Sequence, residues 1–99
     1  MTLRILHEAA CELDDAIARY ESIEAGLGVR LKEEVRTMAA WIAEHAHLPR
    51  LRPGGYRRVN LKVFPYYFAY TIQADTIWVL AVAHNARRPE YWIVRQTPD

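Results

Sequence analysis

The sequence predicts an α+β fold of order β-α-α-β-β-β, a helical hairpin packed on a small antiparallel sheet. Two observations carry that reading. Apolar residues in the first half recur at helical spacing, and in the second half they alternate with polar ones as strands require. Glycine and proline then punctuate the chain where one period gives way to the next. At 99 residues, 52% hydrophobic and 25% charged, the chain has the size and composition of one soluble domain spanning 1–99.

Residues 1–6 alternate weakly and are expected to form a short first strand. Ala10, Leu13, Ile17 and Tyr20 then fall on one helical stripe, with Asp14, Asp15, Arg19 and Glu21 off it. Gly26 and Gly28 break the pattern around Leu27. A second helix follows, with Leu31, Val35, Met38 and Ile42 on one face, and so short a link makes an antiparallel hairpin. Pro49, Pro53, Gly54 and Gly55 mark an exposed loop. Beyond it Val59, Leu61 and Val63 alternate with Arg58, Asn60 and Lys62, which predicts a strand with one apolar and one basic face. Pro65 leads into Tyr66, Phe68, Tyr70 and Ile72, alternating with Tyr67, Ala69 and Thr71. A turn at 73–75 precedes the run 77–83, apolar on both faces and so expected at the centre of the sheet. Pro89 ends it.

No apolar run reaches the ~18 residues of a membrane span, and residues 1–13 lack the pattern of a signal peptide. The one cysteine, Cys11, rules out an internal disulfide and suits a reducing cytoplasm. The net charge of +1 conceals an asymmetry. Residues 1–49 carry five basic and nine acidic groups, and residues 50–99 carry eight and three. Between positions 50 and 62 lie Arg50, Arg52, Arg57, Arg58 and Lys62 with no acid, a patch suited to phosphate or to an acidic protein segment. The low total excludes a general nucleic-acid coat, so a focused site is the better reading.

Successive strand residues face opposite ways, so of Arg57 and Arg58 only Arg58 shares a face with Lys62. That face either grips phosphate through guanidinium or is simply solvated. His84 directly follows the last strand and is either a proton-transfer group or a structural histidine. Arg87, Arg88 and Tyr91 come next. Together these groups supply, in type, the base, cationic clamp and acid that RNA cleavage through the 2′-hydroxyl needs. Trp92 is either a base-stacking ring or an anchor for the tail. Tyr67 differs in parity from the apolar set and is the ring of its strand best placed to meet a ligand. His45 and His47 lack a third ligand and read as histidines at a helix C-terminus, so no metal is expected. With no phosphate loop, nucleophile elbow or paired-cysteine motif, no cofactor is expected either.

These motifs resemble the RelE/ParE superfamily of toxins from bacterial type II toxin–antitoxin modules, across nearly the whole chain. The resemblance lies in residues 9–13 (AACEL), Gly26-Leu27-Gly28, Tyr56-Arg57-Arg58, Phe64-Pro65-Tyr66, residues 80–84 (LAVAH) and residues 87–92 (RRPEYW). RelE-like members are ribosome-dependent mRNA endonucleases. By position, their roles would fall on Arg58, Lys62, Arg87 or Arg88, and Tyr91, with His84 added. ParE-like members lack that nuclease set and are associated with DNA gyrase inhibition. The single lysine on the sheet face, the modest charge and the YRR and FPY patterns look more like ParE. The resemblance also implies a cognate antitoxin that wraps the toxin as a hetero-oligomer. Arg50, Arg52, Arg57, Arg58, Lys62, Tyr67 and Trp92 would then meet the antitoxin or the target. An inactive module member that only binds its antitoxin is the third reading.

Overall fold

The structure is a computed structural model that describes residues 1–98. Its elements are β1 (Thr2–Ile5), α1 (His7–Ile23), α2 (Leu27–His45), β2 (Arg57–Asn60), β3 (Tyr66–Gln73) and β4 (Thr76–His84), in the expected order. The strands form one sheet, β1-β4-β3-β2. Short turns join β2 to β3 and β3 to β4, so these pairs are antiparallel. The sheet is mixed, however, because β1 runs parallel to β4 from Thr2↔Thr76 to Ile5↔Val79. A pair joined across most of the chain has no hairpin to impose the antiparallel sense that the sequence reading expected.

Helix α2 buries the stripe that its spacing predicts, whereas the predicted stripe of α1 is only partly covered. Leu31, Val35 and Ile42 of α2 are buried, and Met38 packs against them. In α1 the inward line runs through Ala9 and Ala16, with Leu13, Ile17 and Tyr20 partly covered. Small alanines let this helix lie close to the sheet. The two helices also approach closely where they join. A Cβ on Gly28 would stand 2.6 Å from the Ile17 carbonyl oxygen, so only glycine fits. Glu21, exposed as expected, also caps α2: its carboxylate accepts N–H bonds from Gly26 at 2.8 Å and Gly28 at 2.9 Å. The Gly26 bond, aided by the amides of Gly28 and Val29, holds its carboxyl below the usual range.

Strand β2 is shorter than its alternation predicts. It ends at Asn60, and the Glu34 carboxylate on α2 accepts the backbone N–H groups of Lys62 and Val63. Leu61 still turns inward and donates to the Tyr66 carbonyl at 2.9 Å. Val63, expected on the apolar face, is 69% exposed because the chain has left the ladder. Residues Tyr66 to Tyr70 of β3 are buried on both faces. Tyr66 meets Tyr20 of α1 on the helical side. Tyr67, of opposite parity, meets Trp92 on the other side, where the C-terminal segment covers the sheet.

Candidate functional site

Because β1 stops at Ile5, the far half of β4 has no strand beside it on that side. Its backbone groups must find other partners. Glu12, on the inward side of α1, supplies one: its Oε1 accepts the Val82 N–H at 3.1 Å. Arg95 supplies another, donating from Nη1 to the Leu80 carbonyl at 2.9 Å. The two then join each other, with both guanidinium nitrogens on the carboxylate at 2.9 and 3.0 Å. Tyr91 adds its hydroxyl, donated to Glu12 Oε2. One carboxylate thus ties helix, sheet edge and C-terminal segment together.

Beside this knot α1 and β4 enclose an open cavity of about 330 Å³. Of the sequence-predicted residues, His84, Arg87 and Tyr91 line it, together with Glu12, Asp15 and Arg19. His84 packs its ring edge-on to Tyr66 at 5.1 Å, and its Nδ1 accepts the Ala86 N–H at 2.9 Å. Arg87 lies over the Tyr91 ring at 3.8 Å and stands 3.9 Å from Glu12. The Tyr91 phenol is pushed far above its ordinary range, first by burial and then by its bond to Glu12. Its proton is therefore held on the oxygen and directed at a carboxylate.

The remaining predicted residues lie elsewhere. Arg88 is exposed and outside the cavity lining. Arg58 stacks on the Tyr67 ring at 3.7 Å and bonds Asn60 Oδ1 at 3.0 Å. Lys62 sits beside α2, away from the terminal cluster, because β2 has ended before it. Arg57 donates to the Pro49 carbonyl at 3.1 Å and so braces the loop before β2. Arg52 bridges to Tyr56 in that loop, and Arg50 is exposed. Two expectations need correction. The resemblance set Tyr67 and Trp92 against a partner, but they are 3% and 1% exposed, and of the two readings of Trp92 the tail anchor is the one that fits. Trp92 Nε1 donates to the Tyr67 hydroxyl at 2.9 Å, and Tyr56 packs edge-on to Trp92 at 4.6 Å. These rings hold the C-terminal segment onto the sheet. His45, the last residue of α2, stacks on Trp41, and its Nδ1 lies 3.1 Å from the Trp41 carbonyl. Among the described residues no three His, Cys, Asp or Glu side chains gather as a metal site would need.

The sequence reading missed Glu12 and Arg95. Glu12 had a signal: it lies between Ala9 and Ala16 at helical spacing, an acid on the side that faces the sheet. Arg95 had none, since it follows the last predicted element.

Burial raises the phenols of Tyr56, Tyr66, Tyr70 and Tyr91 alike. Above the unfolded phenol value of about 10, the unfolded chain loses these protons first, so the native state binds more of them. Stability is then complete below about pH 10 and falls as pH rises toward the folded values. Urea midpoints should hold from about pH 7 to about pH 9.5 and decline above it. Phenolate absorbance should show Tyr56, Tyr66, Tyr70 and Tyr91 titrating late in the folded protein.

A family model described as the ParE toxin of the type II toxin–antitoxin system parDE matches residues 3–89. No curated protein matches the sequence. Among solved structures, the chain is similar to one described as the chromosomal ParDE TA system from P. aeruginosa. That likeness has a TM-score of 0.63 at 18% identity and covers 85% of this chain and 95% of the other. At such identity it speaks for the fold alone.

Proposed function

The chain belongs to the ParE toxin family of type II toxin–antitoxin systems, and from that premise we propose a cytoplasmic toxin that arrests growth by binding a protein target and is neutralised by a cognate antitoxin. DNA gyrase is the target to test first, since inhibition of it is the activity associated with the ParE-like branch. The observation that carries the non-enzymatic reading is the Tyr91–Glu12 bond. RNA cleavage would need a proton donor free to reach the leaving oxygen. Here the phenol keeps its proton and donates its hydrogen bond to a carboxylate, which Arg95 also grips. Arg87 stacks on the same ring, and Arg58 and Lys62 stand away from it.

Induction in growing cells is expected to stop division, leave translated messages intact and raise the SOS response. Transcript-end mapping and an SOS reporter read both outcomes in one culture. In-frame cuts on translated messages, lost in Arg88→Ala, would establish the endonuclease reading instead. Unimpeded growth with tight antitoxin binding would leave an inactive module member.

A further inference from the structure

Strand β3 outruns its neighbour. It continues to Gln73, whereas β2 begins at Arg57, opposite Tyr70. The reason is local: Gly54 and Gly55 stand at φ 99° and 84°, left-handed values that a strand does not use. Leu61 donates to the Tyr66 carbonyl at 2.9 Å, a hydrogen-bonded pair that sets the phase of the antiparallel ladder. Tyr66, Phe68 and Tyr70 thus turn their N–H and C=O groups toward β2. Ile72 turns its own the same way, with no strand there to meet them. Gly55 shares this gap, but its N–H goes to the Arg52 carbonyl at 3.0 Å. Among the described residues no backbone group takes up the Ile72 N–H.

The gap belongs to a cavity of about 220 Å³ between β3 and the loop that follows α2. Arg57 and His47 both line it. Arg57 gives its Nε to the Pro49 carbonyl, and the rest of its guanidinium has no partner among the described residues. His47, just past the end of α2, is exposed. No acidic residue occurs between Glu44 and Asp75, so this stretch of chain offers these donors no carboxylate. Leu51, 58% exposed, joins Ile72 and the Tyr70 ring as an apolar wall. The Tyr70 hydroxyl is already given to the Ala46 carbonyl at 2.7 Å. We propose that this cavity binds the phosphate group of a small organic phosphomonoester. The Ile72 N–H, the Arg57 fork and the His47 ring come from three separate segments, which suits a tetrahedral oxyanion better than a planar carboxylate. The apolar wall takes the carbon body of the ester. A volume below the roughly 300–1,000 Å³ of drug-sized sites favours a small ligand over a polymer. The site does not depend on the toxin reading and stands if that reading fails.

The test is a titration of the isotope-labelled protein with phenyl phosphate at constant ionic strength, followed by NMR. The Ile72 amide and the His47 ring should shift and saturate together. Arg57→Lys keeps the charge and loses the fork, and it should weaken binding about tenfold or more. His47→Gln should weaken it about threefold or more. Arg50→Gln, a basic residue outside the cavity lining, should change it by less than about twofold. Inorganic phosphate, which lacks the carbon body, should bind about fivefold weaker or more. Arg57 also braces the loop, so a thermal melt establishes that its variant is folded. His47→Gln alters an exposed ring and tests the site by itself. An unmoved Ile72 amide, wild-type affinity in His47→Gln, or an Arg50→Gln loss as large as that of Arg57→Lys would overturn the site. Benzoate as tight as phenyl phosphate would do so too, because any anion would then serve. Inorganic phosphate as tight as the ester would remove the organic ligand. A 5′-phosphorylated oligonucleotide more than about tenfold tighter would replace it with a nucleic acid.

Discussion

Replacing Glu12 with alanine is expected to destabilise the protein by roughly 3 kcal/mol, the low end of what removing one partner of a buried ion pair costs. The side chains of Glu12 and Arg95 are 15% and 16% exposed, so water would only partly replace the lost carboxylate. The substitution leaves the Arg95 guanidinium and the Tyr91 hydroxyl without their acceptor and the Val82 N–H without a partner. A buried donor left unpaired costs more than the bond it made was worth. A double-mutant cycle separates this knot from two independent contacts. Glu12→Ala and Arg95→Ala together should cost less than their sum by about 1–2 kcal/mol. Urea denaturation of the four proteins measures it, and strict additivity would refute the coupling.

Trp92→Ala is expected to cost roughly 3–5 kcal/mol, the range for deleting a large core aromatic. At 1% exposure the indole fills space between Tyr56 and Tyr67, and its N–H satisfies the Tyr67 hydroxyl. A domain of this size has about 5–15 kcal/mol in all, so the variant should be close to unfolding at growth temperature. Trp92→Phe, which keeps a ring and loses the N–H, should recover at least half of the loss, about 2 kcal/mol. Thermal melts of the pair distinguish a packing anchor from a surface ring. A Trp92→Ala protein as stable as the parent would show that the C-terminal segment does not hold the sheet.

The fold was legible because hydrophobic period is a local signal. Leu31, Val35 and Ile42 announce α2, and the run 77–83 announces a strand buried on both faces. What escaped was set by partners distant in sequence. Nothing near Lys62 says that a carboxylate twenty-eight residues upstream would take its N–H and end β2. The parity that made Tyr67 a candidate ligand contact was right about its face. It could not show that Trp92 would arrive to cover that face. The terminal cluster likewise read as a business end, because its residue types suit phosphate chemistry. Its actual geometry depends on Glu12, seventy-nine residues away from Tyr91.

The Glu12–Arg95 link spans eighty-three positions. Synthesis runs from the N-terminus, so Glu12 is made eighty-three residues before the arginine that pairs with it. The Arg95 bond to the Leu80 carbonyl can therefore close the free edge of β4 only after every strand of the sheet has been made.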